Sequence, residues 1–203
     1  MVANGCHDDT ADRARGMQSR AEARGWGLRV IELSEGSKPL ALNRGDTEAR
    51  GEMRAYLDAD VRVSRALMAQ LALALQAREP RYASGRPVVP RAASAYTRAY
   101  ARFWVRLPFY VVKAPGFGLF AVNAGGRARW SDFPGIISDD TFVRLQFRPA
   151  ERLECPATYE WPMVEGFAAL VRVRRRQDRG VAEIAALHPN LMEREAKPRL
   201  GFR

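Results

Sequence analysis

Apolar and polar positions alternate in short runs along the first third of the chain and recur at helical spacing between them. Residues 28–33, L-R-V-I-E-L, alternate as a half-buried strand does, and so do residues 53–61, M-R-A-Y-L-D-A-D-V, which end in two carboxylates one residue apart. Residues 11–24 read as a helix, capped by Asp9 or Thr10 and stopped by Gly25-Trp26-Gly27. Met1 to Gly5 reads as the end of a short strand turned at Asn4-Gly5, and residues 40–43 lie in a second helix that relaxes near Gly51. Strand and helix alternating in this way predict βαβ units and a parallel sheet.

Beyond Asp60 the pattern changes. Ser64 caps a helix in which Leu67, Leu71 and Leu75 recur every four residues, the spacing of a packing face. Residues 82–89 suggest another strand, and residues 115–123 a glycine-opened loop running into one; that loop is no G-x-G-x-x-G phosphate fingerprint. Between them Tyr96, Tyr100, Phe103, Trp104, Phe109 and Tyr110 are interleaved with Arg98, Arg102, Arg106 and Lys113. Such a stretch is a partly buried helix with snorkelling basic side chains, an interfacial membrane surface, or a nucleic-acid platform. At Ser138-Asp139-Asp140 a helix starts: Ser138 or Asp139 serves as its cap, or a carboxylate there works as a general base. Residues 172–179, R-V-R-R-R-Q-D-R, open or cross a helix with a solvated basic face, and the last dozen residues are expected to fray.

A chain of 203 residues, 47% of them hydrophobic, can fill one core, so one domain over residues 1–185 with a polar tail over 186–203 is expected. Cys6 and Cys155 have no C-x-x-C spacing and His7 and His188 no ligand-like partners, which argues against a disulfide framework or a zinc site. No run approaches a membrane-spanning length and the first residues lack a signal peptide's basic and apolar regions, so a cytoplasmic protein is expected. The net charge of +10 comes with only three lysines, Lys38, Lys113 and Lys197, among 33 basic residues. Arginine suits phosphate-rich partners, but a compositional bias gives the same ratio. Charge alone therefore keeps nucleic-acid binding as an alternative, without an RRM, helix-turn-helix or zinc pattern to support it.

Asp58 and Asp60 are the first candidates for chemistry. On a strand they would point the same way, roughly 7 Å apart, and with phosphate oxygens and water they can hold a hard divalent ion. Ten aspartates supply about half a D-x-D per chain by chance. The place of this pair at the carboxyl end of a predicted strand, where open α/β sheets bind ligands, raises its interest.

Four segments in order, V-A-N-G-C-H-D-D-T, E-G-S-K-P-L-A-L-N, Y-L-D-A-D-V and F-P-G-I-I-S-D-D-T-F-V, resemble the family 2 glycosyltransferases of the GT-A fold, over residues 2 to about 180. The resemblance implies a three-layer, Rossmann-like α/β fold with a mostly parallel central sheet, N-terminally incomplete because the family's first strand and its P-x-x-N-E-like turn precede the point where this chain starts. Low stability or self-association of the polypeptide alone is the corresponding expectation. It further implies that Asp8 or Asp9 contacts the donor nucleoside, that Lys38 lies beside the nucleotide, and that Asp58 and Asp60 hold Mg²⁺ or Mn²⁺ on the nucleoside diphosphate. Asp140 falls on the catalytic base, with Asp139 its neighbour. Arg174 and Arg175 lie where many members place a diphosphate-binding arginine motif, although no Q-x-x-R-W pattern is present. The implied activity is inverting transfer of a sugar from a nucleotide-sugar donor to a carbohydrate or lipid-linked acceptor hydroxyl. A catalytically defective nucleotide-sugar-binding domain is the alternative. The aromatic and basic stretch adds an expectation of peripheral contact with the inner face of the membrane.

Overall fold

The strand, helix, strand opening is present in the computed structural model, which describes residues 1–195. Strands β1 (Val2–Asn4) and β2 (Ile31–Leu33) pair in parallel, Val2 opposite Ile31. The single helix expected between them is two, α1 (Thr10–Arg15) and α2 (Gln18–Glu22), parted at Gly16-Met17, where a glycine weakens the helical run. Helix α3 (Lys38–Glu48) starts where Ser37 turns extended and donates its N–H to Asn4 Oδ1 at 2.8 Å. These elements and residues Asp132–Gly135 form the first of two compact units. Asn43 of α3 grips Phe133 with both amide atoms, donating to its carbonyl at 3.2 Å and accepting from its N–H at 2.7 Å.

The second unit comprises Gly51–Ser131 and the described residues from Ile136 onward. It contains β3 (Met53–Leu57), β4 (Arg62–Val63), α4 (Leu67–Ala74), β5 (Tyr82–Val88), α5 (Ala95–Trp104), α6 (Pro108–Val111), β6 (Leu119–Asn123), α7 (Ala124–Arg127), α8 (Asp139–Leu145), β7 (Arg152–Glu160), α9 (Phe167–Leu187) and α10 (Pro189–Met192). Its five-stranded sheet has the order β3-β6-β5-β7-β4. Only β5 and β7 run parallel there; β3–β6, β6–β5 and β7–β4 are antiparallel. Among the described residues parallel pairing is thus confined to β1–β2 and β5–β7. Alternation predicts strands but not their partners, and a helix between two strands is compatible with either direction.

The leucine row behaves as expected: Leu67, Leu71 and Leu75 are fully buried against Val61, Ala83, Leu119, Ala121, Cys155 and Tyr159. Several buried polar groups are tied to distant parts of the chain. Asn123, closing β6, accepts from the N–H groups of Arg81 and Gly126 and donates to the carbonyls of Ala77 and Glu79, which uses all four of its amide hydrogen-bonding sites. Residues 188–195, where a polar tail is expected, fold back onto α8. Arg144 of α8 and Glu195 form a buried two-pronged ion pair at 3.1 and 2.6 Å, and Arg152 donates to the carbonyls of Phe147 and Arg194. The remainder of that tail, 196–203, lies outside the described residues.

Two features carry predictions of stability. Tyr82 is wholly buried between Phe120 and Phe147, and its hydroxyl makes no hydrogen bond. It lies against Gly116, which has φ +76°; a Cβ built there would sit 1.6 Å from that oxygen. Gly116→Ala combines left-handed strain with overpacking and is expected to cost about 3 kcal/mol, or a melting temperature lower by roughly 10 °C. Tyr82→Phe removes an unpaired buried hydroxyl at little cost and recovers part of the loss in the double variant; additive losses in thermal melts would contradict this packing.

Glu151 is gripped by Arg129, whose guanidinium reaches both carboxylate oxygens at 2.5 and 2.9 Å, and it also accepts the Arg148 N–H. The Arg129 hydrogen bonds hold its pKa down, from the ordinary 4.5 to about 2. A carboxylate with a depressed native pKa stabilises the fold above its unfolded value and loses that contribution as pH falls through its folded one. Discounted for screening of this partly solvated pair, about 2 kcal/mol should therefore disappear between pH 4.5 and 2. In Glu151→Gln the acid limb of the pH–stability curve should flatten; an unchanged limb would show that the pair contributes nothing.

Candidate active site

The D-x-D segment is a turn rather than a strand end. β3 stops at Leu57, and the Val61 N–H returns to the Asp58 carbonyl at 3.2 Å, closing a turn over residues 58–61. Pleat alternation, expected to aim both carboxylates to one face, therefore does not govern them. Asp58 occupies the first turn position, which favours aspartate, and Asp60 the third, where it is exposed. The Asp58 N–H donates to the Gly118 carbonyl at 2.9 Å, which fixes the turn to the chain entering β6. Gly118 has φ +75°, and a Cβ there would come within 2.7 Å of both Val61 and Trp161. Glycine is needed for this close approach. The sequence signal was the doublet Gly116-Phe117-Gly118, legible as a loop opening but not as a seat for the carboxylate turn.

Leu57 lies opposite Leu119 in the antiparallel β3–β6 pair, so the end of β3 and the start of β6 share one end of the sheet. β5 and β7 finish at the same end, Val88 opposite Glu160. There Tyr159 donates its hydroxyl to the Phe117 carbonyl at 3.0 Å, and Trp161 stacks on Trp104 with ring centroids 5.1 Å apart. The aromatic stretch read from the sequence divides in two. Trp104 and Tyr110 pack on Phe117, and Phe109 on Trp104, whereas Tyr96 and Phe103 stay exposed.

The second acidic pair opens α8. Ser138 occupies the N-cap position without a side-chain cap; instead Asp140 Oδ1 accepts the Thr141 N–H at 2.6 Å. Asp139 is 4% exposed and Asp140 half-buried, so of the two Asp140 has the greater access to solvent. The phenols of Tyr82 and Tyr159 are both pushed well above the ordinary tyrosine range, chiefly by burial, with the Asp140 charge adding to each.

In the basic run, Arg174 donates Nε to Asp178 Oδ1 at 3.0 Å and Nη1 to Gln177 at 3.4 Å, and the Asp178 bond raises its pKa. Arg175 is exposed. The remaining candidates belong to the first unit. Asp8 Oδ1 accepts the Thr10 N–H at 3.1 Å, and hydrogen bonds from the Thr10 side chain and backbone lower its pKa. Asp9 is ion-paired to Arg13 at 2.8 Å, and Lys38 is the first residue of α3.

No protein-family model matches the chain, and comparison with curated protein sequences gives no match. Solved structures do match. A mannosyltransferase from Pyrobaculum calidifontis, in complex with GDP-Man and Mn²⁺, is 18% identical with a TM-score of 0.65 over 97% of this chain and 55% of its own. Glucosyl-3-phosphoglycerate synthase from Mycobacterium tuberculosis, in complex with Mn²⁺, UDP-glucose and phosphoglyceric acid, is 16% identical with a TM-score of 0.54 over 91% of this chain and 66% of its own. The same enzyme in complex with Mg²⁺ and UDP matches equally well. This chain thus spans between 55% and 66% of the length of these structures. On the basis of this likeness the chain has the GT-A glycosyltransferase fold.

Proposed function

We propose that this chain moves a sugar from a nucleotide-sugar donor to an acceptor hydroxyl, with inversion at the anomeric carbon, in the manner of family 2 glycosyltransferases. The observation that carries the reading is the Asp58–Asp60 turn, seated on Gly118 at one end of the sheet of a GT-A fold. Hard carboxylate oxygens suit Mg²⁺ or Mn²⁺. Among the described residues no cluster of three or more His, Cys, Asp or Glu forms a metal site, so donor phosphates would complete the ligand set of Asp58 and Asp60. When bound, such an ion offsets the charge that gathers on the departing diphosphate. In the second unit Arg175 would add positive charge to that end of the donor; Arg174 would have to leave Asp178 to do so. In the first unit Asp8 or Asp9 would contact the nucleoside and Lys38 would lie beside the nucleotide.

Asp140 would accept the acceptor's hydroxyl proton as its oxygen attacks the anomeric carbon from the face opposite the leaving group. One displacement inverts the centre, so no second carboxylate nucleophile is required. Calorimetric titration with UDP and GDP in Mn²⁺, followed by a transfer assay with the anomeric configuration read by NMR, tests the reading. The expected result is Mn²⁺-dependent nucleotide binding and an inverted product. Binding without turnover would favour a defective binding domain, and a retained configuration would overturn the single-displacement mechanism.

A further inference from the structure

The proposed transfer reaction leaves the outward half of the aromatic stretch unused. α5 buries Thr97 and Trp104 and exposes Tyr96, Ala99 and Phe103, with Arg102 and Arg106 beside them. Tyr96 is 69% and Phe103 60% exposed, and at the start of α9 Phe167 is 67% exposed, its ring 6.2 Å from that of Tyr96. These rings stand on a braced scaffold. Thr97 Oγ1 donates to the Val164 carbonyl and accepts the Gly166 N–H, while the Glu165 carboxylate takes the N–H groups of Ala93 and Ser94. The chain leading into α9 is thereby pinned to the start of α5, and the aromatics project from fixed backbone.

The charges around them are mostly of one sign. Arg102 and Arg106 are exposed on and just beyond α5, and α9 exposes Arg172, Arg176 and Arg179 at positions that recur along one helical face. The neighbouring acids are engaged: Glu165 in the two backbone bonds that lower its pKa, Asp178 with Arg174, and Glu183 with Arg179 and the Ile137 N–H. Exposed aromatic rings on helices that also expose arginines match a bilayer interface, where rings insert at headgroup level and basic side chains meet anionic lipid. Among the described residues no helix is long and apolar enough to cross a membrane, so contact here would be made by a surface lying on the lipid.

We infer that the face formed by Tyr96, Phe103 and Phe167, with its flanking arginines, docks the protein on an anionic lipid surface. The inference does not depend on glycosyl transfer, because its readout is partitioning. Co-sedimentation is measured with phosphatidylcholine vesicles and with vesicles containing about one third phosphatidylglycerol, at low and high salt. Wild-type protein should pellet with the anionic vesicles and not the neutral ones, and salt should release it. In the Phe103→Ser/Phe167→Ser variant the partition coefficient should fall at least tenfold, with melting temperature and Mn²⁺-dependent nucleotide binding unchanged. Equal pelleting of variant and wild type would overturn the inference. So would failure to pellet, or a concentration-dependent dimer in sedimentation velocity that the variant abolishes, which would make this face a contact between copies.

Discussion

Asp140→Asn should lower sugar transfer by about 10²- to 10⁴-fold while leaving Mn²⁺-dependent nucleotide affinity within a factor of two or so. The substitution is close to isosteric, and the structure indicates what it spares. Asp140 Oδ1 accepts the Thr141 N–H at the start of α8, and an asparagine carbonyl oxygen accepts the same bond. Its charge bears on Tyr82 and Tyr159, but both phenols stay protonated whether that charge is present or not, because burial alone drives them upward. What Asn lacks is a lone pair basic enough to take the acceptor proton. Asp139 provides the contrast. At 4% exposure it cannot readily meet an acceptor, so Asp139→Asn should act on stability more than on turnover. The check is steady-state transfer beside nucleotide titration and thermal melts for both variants. A rate for Asp140→Asn within tenfold of wild type would remove it from proton transfer.

How much of this was legible in the sequence differs from element to element, and the differences have physical causes. The leucine row of α4 was read correctly because four-residue spacing reports directly on one buried face. Strands β2 and β3 were legible by alternation, whereas β4 and most of β7 were not; nor was pairing direction, since β3 and β6 meet antiparallel across a long intervening chain. The carboxylate turn shows the same limit at the level of the site. Its residues were found by type and spacing, yet their geometry is set by Gly118, sixty positions away, through one backbone bond from Asp58. Asn43 and Asn123 likewise stood in the sequence as ordinary polar residues, although Asn43 satisfies both backbone groups of distant Phe133, and Asn123 those of Ala77, Glu79 and Arg81 that face it. The Arg144–Glu195 pair was invisible because it joins a helix to residues whose composition reads as tail. Where a role depends on neighbours in sequence, pattern reveals it; where it depends on contacts made by folding, residue type alone does not.

Asp60→Ala should weaken nucleoside diphosphate binding in Mn²⁺ at least about 100-fold, since loss of even an outer partner of a metal ligand costs 10- to 100-fold. Stability should hardly change: Asp60 is the exposed third residue of its turn, and substitutions of that kind shift stability by about 0.5 kcal/mol or less. Asp58→Ala should not be so clean. Asp58 opens the turn, and its N–H anchors it to Gly118, so losing an aspartate favoured at that position should loosen the turn as well as the ion. Comparing the two variants separates ligation from scaffolding. If both carboxylates serve the diphosphate, the two should lose affinity alike, and only Asp58→Ala should also lower the melting temperature. Titration of each with UDP and GDP, with Mn²⁺ and with EDTA, supplies the measurement. An Asp60→Ala protein that binds nucleotide within threefold of wild type in Mn²⁺ would leave the D-x-D as a turn and nothing more. In that case the metal would have to be sought away from the end of β3.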